Sequence, residues 1–371
     1  MGNPLACKSD AVYPLHSLSN GSWFKLICGA SYQHLPVVRN LALAYSLAGA
    51  DCIDVAADPA VIAAAQDGIA TARSLSPGWS SHKTPWLMVS INDGEDPHFR
   101  KAKFEVTQCP ADCPQPCVEL CPAEAINPSA GGVLEALCYG CGRCLPICPH
   151  GLIEAESRQS SISEVRRWIE SMAIDAVEIH TQVGHYDNFK KVWQELLPTV
   201  EGLKLLAISC NNAPDAIEYL RSLYTLISPL PCALLWQTDG RSMSGDIGKG
   251  TTHATITFAR RVLEAQLPGY VQLAGGTNDY TVHKLRKLNL IRQPHLSMAH
   301  TVSGVGYGSY ARKLLSPILN KLSEPQPQPI PPNSLYQPKG NQVNLKLEQN
   351  QAVLNQAVAT ASQLVNQLKQ T

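Results

Sequence analysis

Three things are missing from this sequence. It has no long hydrophobic run: the longest apolar stretch, Leu41 to Ala50, is ten residues and stops at Asp51, where a membrane-spanning helix takes ~20. It has no excess of charge: 30 Lys and Arg balance 30 Asp and Glu. A chain built for nucleic acid or an anionic membrane carries a basic surplus. It also lacks a charged-then-apolar signal pattern at the start. Leu5-Ala6-Cys7 imitates a lipoprotein cleavage site with no hydrophobic region before it, and Gly2 is followed by Ala6 where myristoylation takes Ser or Thr. The expectation is a cytoplasmic protein with no membrane span and no nucleic-acid partner, its thiols kept reduced.

Cysteine is what the chain has in concentration. Eight of its thirteen cysteines fall between Cys109 and Cys148. The first run is Cys109-x3-Cys113-x3-Cys117-x3-Cys121-Pro122 and the second is Cys138-x2-Cys141-x2-Cys144-x3-Cys148-Pro149. The second is the bacterial ferredoxin pattern, in which three close thiolates and a distant one before proline hold a [4Fe–4S] cluster. Soft thiolates suit iron, and short spacers let one loop wrap a cube corner. The distant cysteine serves the cluster of the other run, so the expected assignment is crossed. Cys138, Cys141, Cys144 and Cys121 take one cluster; Cys109, Cys113, Cys117 and Cys148 take the other.

The two halves also rhyme beyond the thiols, in Cys121-Pro122-Ala123-Glu124-Ala125-Ile126 and Cys148-Pro149-His150-Gly151-Leu152-Ile153. The first run departs from the usual spacers of two, so its cluster could be labile or lose an iron. Zinc fits poorly, because it asks for two pairs of ligands, often with histidine. A disulfide scaffold would need an oxidising compartment.

The rest of the chain alternates strand and helix. Expected strands are Trp23–Ala30, Cys52–Ala57, Trp86–Ile91, Ala176–Thr181, Leu203–Cys210, Cys232–Gln237, Tyr270–Ala274 and Met298–Val305. Helices follow each, over Pro36–Gly49, Pro59–Ser74, Ser163–Met172, Tyr186–Leu197, Asp215–Ile227, Ala254–Ala265, Tyr280–Leu288 and Tyr310–Leu322. Asp58 and Ser163 read as helix caps. Eight β–α units in series imply parallel strands with helical crossovers. The 300 residues from Trp23 to Leu322, less the 53 of the cysteine insert, leave 247. That matches the ~250 of a (β/α)8 barrel. An open doubly wound sheet is the alternative.

The expected organisation is an irregular lead-in over 1–21, the first part of a TIM-like barrel over 22–104, and a two-cluster ferredoxin-type insert after strand three over 105–157. The barrel resumes over 158–322. A Pro-rich linker over 323–343, including Pro325, Pro327, Pro329, Pro331 and Pro332, leads to an amphipathic helix over 344–371. That helix either folds back on the barrel or offers a partner-binding tail.

In such a barrel the loops after strands seven and eight often bind phosphate. Here they hold Gly275, Gly276, Gly304 and Gly306, with Arg241 and Lys249 in the long loop after strand six. Glycines let backbone N–H groups approach an anion, or they merely make tight turns. A phosphate-bearing ligand such as FMN is the corresponding cofactor expectation. Asp58, Asn92, Asp93, His180, Asn211 and Gln237 stand at strand ends and are candidates by location alone. Cys28, Cys52, Cys210 and Cys232 read as small buried apolar residues, and Cys7 as an inert thiol.

Residues 23–30 (WFKLICGA), residues 48–59 (AGADCIDVAADP), the double cysteine module and the Asp239–Thr252 loop together resemble the light-dependent period family, LdpA, of cyanobacteria. The resemblance runs to about residue 322. It implies an iron–sulfur redox sensor that reports light-dependent redox state to the circadian clock, with CikA and KaiA as partners; a redox partner or quinone is the expected input to the clusters. It carries the cluster ligands over to the eight cysteines and assigns no catalytic residue. The glycine loops instead favour a second class, an iron–sulfur oxidoreductase with a ligand in the barrel mouth.

Overall fold

The computed structural model describes residues 12–28, 35–76, 84–94, 100–121, 124–134, 138, 142, 144–157, 161–240, 250–292, 300–322 and 346–369. Eight parallel strands close a barrel: β1 (Trp23–Ile27), β2 (Cys52–Ala56), β3 (Trp86–Asn92), β8 (Ala176–Thr181), β9 (Leu205–Asn211), β10 (Ala233–Asp239), β11 (Tyr270–Ala274) and β12 (Gly304–Tyr307). The ring closes where Trp23 to Leu26 pair with Gly304 to Tyr307. A parallel strand returns only through a crossover; helices α2 (Leu35–Leu47), α3 (Pro59–Leu75), α6 (Ile162–Ser171), α7 (Tyr186–Leu196), α8 (Ala216–Ile227), α9 (Thr252–Glu264) and α10 (Thr281–Lys287) supply the connections, and α11 (Ser309–Leu319) follows the last strand.

Strand alternation divides each strand's side chains between two surroundings. Phe24, Leu26, Ile53, Val55, Leu87, Val89, Val177, Ile179, Leu206 and Ile208 belong to the large core between sheet and helices. Trp23, Cys52, Trp86, Met88, Ala176, Leu205, Ala207 and Leu235 form a separate core inside the barrel. Trp23 and Trp86 meet there edge-on, 5.8 Å between ring centres. This inner core lies towards the strand N-termini.

The lead-in expected to be irregular instead contains helix α1 (Val12–Asn20). Its Leu18 is fully buried in the inner core and closes the lower end. A nine-residue helix with Pro14 in its first turn carries little periodicity of its own; tertiary burial decides it. The C-terminal segment also folds back. In α12 (Gln351–Lys369), Leu354, Ala357, Ala361, Leu364, Val365 and Leu368 are buried in the large core, in contact with α2 and α11. Its last lysine, Lys369, reaches the buried Asp51 at 2.6 Å and Ser17 Oγ of α1 at 3.0 Å. Arg39 of α2 pairs with Glu348 at 2.6 Å just ahead of α12.

Two boundaries shift. The strand expected over Met298–Val305 is β12, Gly304–Tyr307, so Gly304 and Gly306 lie within a strand and not in the loop after it. Glycine weakens the strand signal, yet at Gly304 a Cβ would stand 2.0 Å from the Trp23 carbonyl oxygen, so β1 and β12 can close only around a glycine. Helix α6 is capped by Ser161 in a capping box with Glu164, two residues before the expected Ser163. Asp58 does cap α3, accepting from the Ala60 N–H at 2.8 Å. Of the structural thiols, Cys28, Cys52 and Cys210 are buried and Cys232 is half-buried. Burial pushes the Cys210 thiol up to about 12 and that of Cys232 up to about 11.

Candidate functional site: a cysteine module over a charged barrel mouth

The chain leaves the barrel after β3 and returns at β8, so the cysteine module rises from the C-terminal end of the strands, the functional end of this architecture. Its stalk is an antiparallel pair, β4 (Arg100–Lys103) with β7 (Glu154–Ser157), which begins ahead of the Glu105 boundary read from the sequence. Lys101 of the stalk, almost fully buried, pairs at 2.8 Å with the Asp58 carboxylate at the top of β2. One Asp58 oxygen caps α3 and the other holds the module.

Within the module the chain repeats itself. A short hairpin, β5 (Ile126–Asn127) with β6 (Gly132–Val133), separates two one-turn helices, α4 (Pro116–Leu120) and α5 (Cys144–Ile147). Helix α4 runs directly into Cys121, as α5 does into Cys148. The Ala125 N–H donates to Cys121 Sγ at 3.2 Å and the Leu152 N–H donates to Cys148 Sγ at 3.4 Å, each four residues on. Desolvation would raise the Cys148 thiol, but the N–H groups of Leu152, His150, Ile153 and Gly151 outweigh it and hold it below its ordinary value. Backbone donors aimed at sulfur stabilise thiolate, the form that ligates metal.

Cys117, Cys138 and Cys144 sit in a small core with Ala102, Ala125, Ile126 and Ile153; Cys121 and Cys148 border it. The Cys109 thiol is raised by desolvation and by neighbouring Cys113, Cys117 and Cys148. Gly142, with φ +70°, turns the chain two residues ahead of Cys144, where a side chain would be strained. Soft donors, N–H groups towards sulfur and an apolar surround fit an iron–sulfur cluster. Cys141 lies outside the described residues.

The barrel mouth is equally distinct. Above the inner apolar core, Lys25 of β1 is fully buried, hydrogen-bonded to Glu178 of β8 and 3.3 Å from Asp54 of β2. The two carboxylates overcome the desolvation that would discharge the ammonium, and its pKa is raised. Ser90 Oγ donates to Asp54 at 2.5 Å. A chain of donors ends on Glu178: Trp23 Nε1 to Gln272 at 2.6 Å, Gln272 to Gln237 at 2.7 Å, and Gln237 to Glu178 at 2.7 Å. Higher still, His180 lies 3.3 Å from Glu178 Oε1 and 3.0 Å from Ser209 Oγ, which donates to Asp239. Burial pushes the Asp239 carboxyl up to about 6, against the opposing pull of His180.

Of the residues expected from sequence, His180 and Gln237 enter this constellation. Asp93 stands aside with Thr181 and with His185 at 3.0 Å. Gly275 and Gly276 turn the loop after β11 in left-handed conformations. Thr251 Oγ1 donates to the Gly276 carbonyl at 2.7 Å, and Asn278 Nδ2 to Thr251 Oγ1 at 3.4 Å. The loop is thus laced to the start of α9. Arg241 and Lys249 lie outside the described residues. Lys25, Asp54, Glu178, Asp239 and Gln272 escaped the sequence reading. Their signal was a charged or amide residue at an inward position of otherwise apolar strands, as in residues 23–27 (WFKLI) and 52–56 (CIDVA).

Comparison with known proteins places both parts. Residues 109–159 match the LdpA Fe–S cluster-binding domain, and residues 168–367 match the light dependent period A C-terminal domain. The chain is 49% identical over 361 residues to Light dependent period A of Synechococcus elongatus, covering 97% of this chain and 95% of that protein. Among solved structures, a Pyrococcus furiosus tryptophan synthase complex aligns over 95% of this chain and 99% of its own, at 11% identity and a TM-score of 0.38. A Mycobacterium tuberculosis tryptophan synthase aligns over 94% of each chain at 8% identity, also with a TM-score of 0.38. On its sequence identity and its iron–sulfur-binding module, this chain belongs to the light dependent period A family.

Proposed function

We propose that this protein is an iron–sulfur redox sensor of the cyanobacterial cytoplasm that relays light-dependent redox state to the circadian clock and modulates its period. Two [4Fe–4S] clusters fit the eight cysteines: Cys121, Cys138, Cys141 and Cys144 for one; Cys109, Cys113, Cys117 and Cys148 for the other. The clusters would supply one-electron chemistry. The protein's share is to hold the thiolates, aim N–H groups at Cys121 and Cys148, and tie the module to the barrel.

The observation that supports the reading is the Lys101–Asp58 pair, which ties the cysteine module to the C-terminal end of the barrel strands. One electron changes a local charge by one unit, and in a partly desolvated interface that shifts an equilibrium by about 1 kcal/mol or more. The proposed partners are the clock proteins CikA and KaiA, with a redox partner or quinone setting the poise. Anaerobically purified protein is expected to hold about eight irons per chain, and Cys144→Ser about half of them. Affinity for CikA or KaiA is expected to differ between oxidised and dithionite-reduced protein and to stop differing in Cys144→Ser. Stoichiometric zinc without broad visible absorbance, or equal affinities in both redox states, would refute the reading.

A second reading is favoured by the polar layer inside the barrel: an oxidoreductase whose clusters serve a phosphate-bearing ligand such as FMN in the mouth, near Gly275 and Gly276. A flavin absorbance band and FMN released on denaturation would select it.

A further inference from the structure

Large apolar side chains left on the surface are few. Among the described residues they are Tyr13, Leu75, Leu120, Ile147, Leu197 and Leu288. Two of them, Leu120 at 42% exposure and Ile147 at 41%, belong to the cysteine module. They hold the same place in its two halves: Leu120 ends α4 just before Cys121, and Ile147 ends α5 just before Cys148. Single apolar residues scattered on a surface need no explanation. Here the repeat exposes an aliphatic residue at the same step of both halves, each time beside a proposed cluster ligand. Helices α4 and α5 pack against each other, so both side chains stand on one unit. Val118 and Leu145 of the same helices are half-buried against the small core. Leu120 and Ile147 stay open although the stalk ties the module to the barrel.

The module is also of one sign. Residues 105–157 carry seven carboxylates against a single cation, Arg143. With the stalk's Arg100, Lys101 and Lys103 added, acids still exceed bases by three, and two of those lysines are already paired with Asp58 and Glu156. Asp112, Glu119 and Glu124 are exposed, and Glu119 is the chain neighbour of Leu120. The whole chain is neutral, so the rest of it is correspondingly basic. A cube held by four thiolates is itself an anion and deepens the contrast. Such a surface repels an anionic membrane or a second copy of the module. It attracts a cationic protein and speeds its arrival.

We propose that α4 and α5 form the docking face for a basic redox protein, an electron carrier whose apolar centre is ringed by cationic side chains. Leu120 and Ile147 make the apolar contact, and the module's carboxylates steer the approach. The Cα atoms of Leu120 and Ile147 stand ~3.8 Å from those of Cys121 and Cys148. A carrier seated there is one peptide unit from a ligand in each half, and electron transfer falls off steeply with distance. The exchange is of one electron: the carrier is reduced as this protein is oxidised, or the reverse, and no atom passes between them. Electron-transfer encounters are small and transient, which suits two half-exposed side chains inside a charged rim. The proposal rests on the sensor reading and names the chemistry of its redox partner, a basic protein and not a quinone.

The test mixes full-length, cluster-loaded, dithionite-reduced protein, freed of excess reductant, with oxidised cytochrome c as a basic probe in a stopped flow. Succinylated cytochrome c, the same haem protein made acidic, is the comparison, and a small neutral dye reports the clusters themselves. The rate with cytochrome c is expected to fall about tenfold from low to physiological salt, and to be about tenfold lower for the succinylated form. The double variant Leu120→Gln with Ile147→Gln should slow cytochrome c about tenfold or more through lost apolar contact. Its salt dependence, iron content and rate with the dye should stay unchanged. The salt series on the natural chain needs no variant to fold. Iron-loaded protein that reduces both cytochromes equally, a rate indifferent to salt, or an unchanged rate in the double variant would each overturn the docking face and leave the sensor reading intact. A dimer that the double variant abolishes would give the face to a second copy and overturn it too. Protein that binds no iron would overturn both readings.

Discussion

The two ends of the barrel interior obey opposite rules. The lower end is apolar, built from Trp23, Cys52, Trp86, Leu205 and Leu235 and stopped by Leu18 of α1. A charge buried beneath it, Asp51, is answered by Lys369, a residue more than three hundred positions away. The upper end, one layer along the same strands, holds Lys25, Asp54, Glu178 and the glutamines. Neighbouring inward positions of one strand, Trp23 and Lys25, thus belong to different chemistries. The lower layer contributes by excluding water. The upper one holds charges that are stable only as a set, beneath the face that carries the cysteine module. Both layers contribute to stability, by different means: burial of apolar area below and mutual pairing of charges above.

That contrast can be broken most severely at the top. Glu178→Leu would leave Lys25 short of one carboxylate and take the acceptor from Gln237 and His180. Loss of one partner of a buried pair should lower stability by about 3–5 kcal/mol, whereas the triple change Lys25→Met, Asp54→Asn and Glu178→Leu, which removes every charge of the set, should recover most of it. Denaturant midpoints of cluster-loaded protein measure both. If the single change is tolerated, the upper layer is wet and the contrast between the two ends disappears.

A smaller effect is expected below. Leu18→Ala removes a fully buried side chain from the plug and should cost about 2–4 kcal/mol through lost burial and a residual cavity. No partner change can rescue it, since no polar group depends on Leu18. Additivity with Glu178→Leu in the double variant would show that the two layers act separately; strong coupling would join them into one unit.

The smallest effect is pH-dependent and belongs to Asp239. Burial raises its carboxyl to about 6, above the ~3.9 of an unfolded aspartate. The folded state therefore binds this proton more tightly, and the stability it adds is present at low pH. That contribution is lost as pH rises from about 4 to about 6. Relative to the natural chain, Asp239→Asn should gain about 1–2 kcal/mol of stability across that window. Denaturant midpoints compared at about pH 4 and about pH 7, below and above that window, test it. A constant difference between the two proteins would place Asp239 in water.

Much of this was legible in the sequence. The parallel strand order followed from strand–helix alternation, because a parallel strand can return only through a crossover; length favoured a closed barrel over an open sheet, and closure itself is seen only in the structure. The cysteine module was legible because ligand spacing is local, a property of one loop around one cluster corner. Gly304 and Gly306 were misplaced into a loop for a physical reason: glycine has no side chain to declare a strand, and its role at 304 is to admit the Trp23 backbone from a distant strand. Helix α1 was passed over because its stabilising contacts, Leu18 with the barrel interior and Ser17 with Lys369, come from elsewhere in the chain.

By itself, the sequence determined what depends on neighbours in the chain: the order of strands and helices, the caps at Asp58, the thiol spacing and the repeat of the two cysteine halves. Tertiary structure alone decided what depends on closure. Joining β1 to β12 brings Trp23 onto Gln272, and the closed ring sets Lys25 between Asp54 and Glu178, residues 29 and 153 positions apart from it. A lysine in an apolar strand and a glutamate in another carry no mark of each other until the ring closes. Electrostatics and hydrogen bonding fall off within a few ångströms, so a charge layer exists only once the fold has made its members neighbours.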